Sequence, residues 1–118
     1  MFGNPSTISK AALAQVKVVK SHIQEYPMLM YVKSTCPYCK KAKELMEKGQ
    51  VDYKKFVLDQ LEEGRFIKEA LVEITGQRTV PNIFIAGKHI GGFSDINELH
   101  EKNELKPKLD AANVKNIF

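Results

Sequence analysis

The sequence predicts an α/β fold, a four-stranded mixed sheet flanked by helices on both faces. Three observations predict it. Apolar residues recur at helical spacing in stretches separated by short apolar runs of strand length. The elements follow in the order helix, strand, helix, strand, helix, strand, strand, helix. One pair of strands is joined by a tight turn at Gly87, whereas the other strands are joined through helices. A strand–helix–strand unit makes its two strands parallel and a tight hairpin makes its two antiparallel, so the sheet is mixed. A chain of 118 residues suffices for one core and is short for a second folded unit. Residues 1–118 therefore read as a single domain, with its core over about 9–109.

From residue 9 to 26, Ala12, Leu13, Val16, Val19 and Ile23 recur three and four apart between lysines, as on an amphipathic helix that Ser6 or Ser9 would cap. Pro27 precedes a run from Met28 to Lys33 that reads as a buried strand. After Ser34-Thr35, Pro37 suits a first helical turn and Gly49 stops the helix beyond Lys48, which puts Cys36 at the helix N-terminus. Tyr53 to Leu58 makes the second strand. Ile67, Ala70, Leu71 and Ile74 line one face of the next helix, which Gly76 ends. Asp59 with Glu62 looks like a capping box, but Gly64 weakens a helix there, so the start is placed at Gly64 or Arg65 after an irregular turn. Residues 82–86 and 88–90 form the hairpin around Gly87, and Gly91-Gly92 leads into a helix capped by Ser94 or Asp95. The tail from Leu105 to Phe118 adds a short helix after Pro107.

Composition narrows the function classes. With 43% hydrophobic and 27% charged residues, the chain is typical of a soluble globular protein and unlike a disordered or fibrous one. The longest apolar run, Met28 to Val32, is far below the ~20 residues of a membrane span. The start, Met1-Phe2-Gly3-Asn4-Pro5-Ser6, lacks the basic residues and apolar core of a secretory signal. No arginine precedes Arg65, unlike a mitochondrial presequence, so the expected location is the cytoplasm. The net charge of +4 comes from lysines and two arginines dispersed along the chain. That dispersal fits solvated helix faces and not the basic stripe of a nucleic-acid binder.

The two cysteines carry the strongest chemical signal. Cys36-Pro37-Tyr38-Cys39 lies between a strand and a helix. A thiolate, not a thiol, attacks a disulfide, and a helix N-terminus with free N–H donors and positive dipole favours the anion, as does nearby Lys33. Cys36 is placed as the nucleophile. Cys39, about one turn inside, is near enough to attack Cys36 in a mixed disulfide and is expected to stay buried and protonated until then. Two cysteines three apart are poor material for a secreted disulfide scaffold. Zinc usually takes four ligands, and His22, His89 and His100 show no ligand spacing, so no metal is expected.

Three segments together carry a resemblance over roughly Ser9 to Leu109: Lys33-Ser34-Thr35-Cys36-Pro37-Tyr38-Cys39, Gly76-Gln77-Arg78-Thr79-Val80-Pro81-Asn82-Ile83-Phe84-Ile85, and Gly87-Lys88-His89-Ile90-Gly91-Gly92-Phe93-Ser94-Asp95. In this order they resemble the hallmark segments of dithiol glutaredoxins, glutathione-dependent oxidoreductases of the thioredoxin fold. The resemblance implies that Pro81 is cis, faces the cysteines, and presents the Val80 backbone to glutathione as in strand addition. It also implies a seat for glutathione. Lys33, Lys68 and Arg78 would meet the glycyl carboxylate, Tyr38 would line the sulfur end, and Thr79 would border the groove. The backbone N–H groups of Phe93 and Ser94 would take the γ-glutamyl carboxylate and Asp95 the ammonium. For Lys68 and Arg78 a solvated face is the competing reading; for Ser94 and Asp95 it is a plain helix cap, which is compatible with binding. Many relatives have glutamine where Lys68 stands, and Phe93 occupies a place often held by a polar residue or cysteine.

The implied reaction has two routes. Cys36 alone would reduce protein–glutathione mixed disulfides, and Cys36 with Cys39 would reduce protein disulfides, with glutathione as reducing co-substrate and a monomer as the working form. Two alternatives stay open on the residues. One is a [2Fe–2S] cluster held between two protomers by two Cys36 thiolates and two glutathiones, which Pro37 disfavours by stiffening the loop. The other is a thioredoxin-type enzyme reduced by a flavoprotein, disfavoured by Tyr38 and by Gly91-Gly92.

Overall fold

In the computed structural model, which describes residues 8–118, the first element is helix α1, Lys10–Glu25. Ser9 caps it, its hydroxyl oxygen accepting the Ala12 N–H at 3.1 Å, and Ser9 also donates from its N–H and hydroxyl to the Glu69 carboxylate. Ser6, the other expected cap, lies outside the described residues. Strand β1, Met28–Val32, leads to helix α2, Pro37–Lys48, and strand β2, Lys54–Val57, runs into a short 3₁₀ turn, Leu58–Gln60. Leu58 thus belongs to the turn and not to the strand. Helix α3, Gly64–Thr75, starts at the expected glycine, and Gly76 ends it in the left-handed region at φ 78°. The hairpin β3, Asn82–Ile85, and β4, Lys88–Gly91, turns through Ala86 and Gly87, both at positive φ, which favours glycine at the second place.

Two expectations about the last helices are corrected. Helix α4, Phe93–Glu101, is capped by Gly92, not by the Ser94 or Asp95 side chain as N-cap. Asp95 sits one turn in and reaches back to accept the Gly92 N–H at 2.9 Å, so the short acid acts from inside the first turn. Helix α5, Leu105–Ala111, begins before Pro107 and includes it. Proline is tolerated there because a first-turn N–H has no intrahelical partner to lose. Beyond α5 the chain packs on: Val114 is buried, the Ile117 N–H donates to Gly49 at 2.7 Å, and the Phe118 ring lies 4.8 Å from that of His100.

The strand order is β2-β1-β3-β4, with β1 and β2 parallel and the other pairs antiparallel. All five residues of β1 are buried because helices cover both faces, and their alternation divides the core. Met28, Met30 and Val32 meet α2, α4 and α5 through Ala42, Met46, Ile96 and Leu105. Leu29 and Tyr31 meet α1 and α3 through Val19, Ile67 and Leu71. The buried Tyr31 hydroxyl is satisfied by His22 Nδ1 at 3.0 Å, and His22 stacks on Phe56 at 4.2 Å. The sheet is the sandwiched mixed sheet predicted, but only β1–α2–β2 follows the parallel rule: after α3 the chain enters β3 on the other side of β1 and antiparallel to it. The end of β1, the start of α2 and the loop before β3 come together at one edge.

Candidate active site

Cys36 is the N-cap of α2, with extended backbone at φ −110° and ψ 119°, and Pro37 is the first helical residue. Its Sγ accepts the Cys39 N–H at 3.3 Å. The sulfur thus stands where a capping oxygen usually stands, at the helix end whose free donors and dipole favour an anion. Cys36 is half-buried, and its thiol points at the Val80 carbonyl oxygen at 3.5 Å. Cys39 is buried, and both thiols are free. Burial pushes the Cys39 thiol up to about 12; its hydrogen bond with Cys36 adds to this and Lys33 opposes it.

Opposite the cysteines the Val80–Pro81 bond is cis, as the resemblance implies. The loop that carries it is held by Gln77, whose Nε2 donates to the Thr79 carbonyl at 2.9 Å and to the Pro81 carbonyl at 3.0 Å. The amide oxygen of Gln77 then faces His89 Nε2 at 3.2 Å, and the same nitrogen lies 2.9 Å from Asn82 Oδ1. With two oxygen acceptors around it, Nε2 is the protonated nitrogen. Burial lowers the His89 pKa, with the Asp95 charge opposing it, and so favours the neutral ring. Asn82, itself buried, completes the chain by donating to Thr75 Oγ1 at 3.4 Å.

Lys33, at the end of β1, and Lys68, in α3, stand close enough for the Lys33 ammonium to be the largest cause lowering the Lys68 pKa. Neither makes an ion pair among the described residues. Asp59 is near enough to feel the Lys33 charge but forms no ion pair with it, and the repulsion between the two lysines is one that a bound carboxylate would relieve. Tyr38, exposed, stacks on Phe93 at 6.3 Å between ring centroids, which brings the start of α2 against the start of α4. The N–H groups of Phe93 and Ser94 fall in the first turn of α4, where helical donors have no partner within the helix. Arg78 and Thr79 are exposed on the Pro81 loop, and the Arg78 side chain makes no hydrogen bond or ion pair among the described residues.

Two anchors were not legible as site residues. Asp59 is one: Ser34 donates to it from its N–H at 2.9 Å and from its hydroxyl, which fixes the turn before Cys36. Those hydrogen bonds hold the Asp59 carboxyl below its ordinary range. The other is the Gln77–His89–Asn82 chain. Both join residues distant in sequence, and neither has a local pattern. Among the described residues no group of three or more His, Cys, Asp and Glu side chains is gathered as a metal site requires.

The known proteins agree with this geometry. The glutaredoxin family model matches residues 28–90. Monothiol glutaredoxin-S12, chloroplastic, of Arabidopsis thaliana is 44% identical over 112 residues, covering 94% of this chain; the chain spans 63% of that relative's length. Glutaredoxin-1 of Saccharomyces cerevisiae is 46% identical over 99 residues, covering 80% of this chain and 90% of that protein. The crystal structure of the buckwheat glutaredoxin–glutathione complex superposes with a TM-score of 0.86 at 34% identity, covering 89% of this chain and 96% of that one. The thioredoxin fold, the matching family model and the relatives agree: the chain belongs to the glutaredoxin family of glutathione-dependent thiol–disulfide oxidoreductases.

Proposed function

We propose that this chain reduces protein–glutathione mixed disulfides through Cys36 alone and protein disulfides through Cys36 and Cys39, with glutathione as reductant. The observation that carries this reading is the asymmetry of the two thiols: one capping a helix at the surface, the other buried with its ionisation suppressed. In the first route the Cys36 thiolate attacks the glutathione sulfur of the mixed disulfide. The target leaves as its thiolate and takes a proton, and Cys36 is left bonded to glutathione. A second glutathione thiolate attacks the glutathione sulfur of that bond, giving glutathione disulfide and free Cys36. In the second route Cys36 attacks a sulfur of the protein disulfide, and Cys39 then attacks Cys36 to release the reduced target. Once Cys36 is in a mixed disulfide, its hydrogen bond and charge no longer oppose ionisation of Cys39. Two glutathiones reduce the resulting Cys36–Cys39 bond.

In this reading the glycyl carboxylate of glutathione lies on Lys33 and Lys68, with Arg78 at the rim. The Val80 backbone before Pro81 pairs with the cysteinyl residue, Thr79 and Tyr38 border it, and the Phe93 and Ser94 N–H groups take the γ-glutamyl carboxylate. Asp95 takes the ammonium while still capping α4. The domain works as a monomer, and the compartment we propose is the cytoplasm, on the strength of a lone redox-spaced cysteine pair; no helix among the described residues is long and apolar enough to cross a membrane. The deciding experiment is a coupled assay that compares glutathione plus glutathione reductase with thioredoxin reductase as electron source. Turnover is expected with the first; turnover only with the second would overturn the reading.

The ammonium assignment has its own test. Asp95→Asn keeps an oxygen that can accept the Gly92 N–H and removes the charge, so the helix start is preserved while an exposed ion pair is lost. The glutathione KM should rise about fivefold with kcat nearly unchanged, as for an interaction present in ground and transition states alike. Unchanged kinetics would show that Asp95 only caps α4.

A further inference from the structure

Beside Cys36, on the β2 side, lies an open cleft of about 610 Å³ that shares Lys33 and Cys36 with the glutathione seat but includes none of Tyr38, Lys68, Val80, Phe93 or Asp95. Its floor follows from register. Met30 and Val32 of β1 pair with Lys55 and Val57 of β2, and residues directly opposite share a face. Met30 and Val32 are buried beneath, so the surface left to the cleft is the half-buried Val57 and the exposed Lys55 of the edge strand. Its wall is α2, where Lys40 and Lys43, three apart, share one side of the helix. Lys40, Lys43 and Lys55 are exposed, line the cleft, and make no ion pair among the described residues, and no carboxylate lines it. Edge-strand lysines commonly discourage strand pairing, which accounts for Lys55 but not for two more cations on the facing helix.

We propose that this cleft receives an acidic segment of a protein disulfide substrate, its carboxylates on Lys40, Lys43 and Lys55 and an apolar side chain against Val57 and Pro37, next to the Cys36 sulfur. The inference rests on the dithiol reading above and names the class of protein it acts on. Cations set around Val57 and Pro37 beside the Cys36 sulfur fit an acidic polypeptide that carries a disulfide better than a nucleic acid, which has no sulfur for Cys36 to attack. Cations without partners also raise the encounter rate with an acidic partner and orient it, an effect that falls with salt.

The test uses disulfide-containing peptides identical except for flanking glutamates, glutamines or lysines. At low salt kcat/KM should be about tenfold higher for the glutamate peptide than for the lysine peptide, with the ratio shrinking in 0.5 M salt. Lys40→Gln/Lys43→Gln/Lys55→Gln should bring the ratio to within about twofold of one, with turnover on a small glutathione mixed disulfide unchanged. Lys40→Gln and Lys43→Gln singly should each lower it in part. A control with the same loss of charge elsewhere, Lys17→Gln/Lys20→Gln/Lys88→Gln, should leave the ratio near the wild-type value. The proposal is overturned if the wild type shows no preference, if the cleft variants retain it, if the control loses it equally, or if an oligonucleotide competes as well as the acidic peptide. A protein that turns over the glutathione mixed disulfide but none of the peptides would instead refute the dithiol route.

Discussion

Cys36→Ser is expected to abolish turnover on a glutathionylated peptide and on a protein disulfide alike, whereas Cys39→Ser should keep at least about half of the first activity and lose most of the second. The contrast comes from what each sulfur does. Serine is a good N-cap, so its hydroxyl can accept the Cys39 N–H that Cys36 now accepts, and α2 should keep its start. Its hydroxyl is not appreciably ionised at neutral pH and forms no disulfide, so the loss at position 36 is chemical and not structural. At position 39 the thiol is buried and protonated in the resting state, and the monothiol route never uses it. Removing it also removes the internal disulfide that would divert Cys36 from glutathione. On a protein disulfide, Cys39→Ser should accumulate a Cys36 mixed disulfide visible by mass spectrometry, released only by added glutathione. Loss of both activities in a folded Cys39→Ser protein would point to an obligatory dithiol enzyme.

What the sequence made legible was local. Pro37 after a strand and Gly49 after an apolar stripe bracket α2, so the capping place of Cys36 could be read directly, and Gly64 outweighed the Asp59–Glu62 pattern as the start of α3. The corrected ends have local causes too. Asp95 could serve as N-cap or as a first-turn acid reaching back, and only the extended backbone at Gly92 decides between them. Pro107 is allowed anywhere in a first turn, so it marks a helix start only to within a few residues. The anchors that were not legible depend on tertiary register. His89 comes under Gln77 because β3 and β4 are paired, Asp59 reaches Ser34 because β2 lies beside β1, and Lys55 joins Lys40 and Lys43 for the same reason.

The Asp59 anchor and the Lys33–Lys68 pair depend on a close approach that one substitution should remove. Gly64 is buried at the first residue of α3, directly over the 3₁₀ turn that ends β2. A β-carbon there would overlap the Leu58 carbonyl oxygen and lie 2.7 Å from its carbon and 3.3 Å from its α-carbon. These are backbone atoms, so no side chain can swing aside. Gly64 lies outside the left-handed region, so the demand is for space and not for conformation. In an ordinary helix Gly→Ala stabilises by about 0.5–1 kcal/mol. Here the sign should reverse, with a cost of about 2–3 kcal/mol from overpacking and a fall in Tm of roughly 8–15 °C. Gly76→Ala provides the comparison. Gly76 has open space around its α-carbon but φ 78°, so alanine there should cost only about 1–2 kcal/mol, the conformational penalty alone. The displaced turn carries Asp59, which holds Ser34, and the displaced helix carries Lys68. Gly64→Ala should therefore also raise the glutathione KM in the protein that remains folded, while Gly76→Ala should not. A Tm for Gly64→Ala equal to or above that of Gly76→Ala would show that the turn yields easily, and that α3 is not held against β2 by this contact.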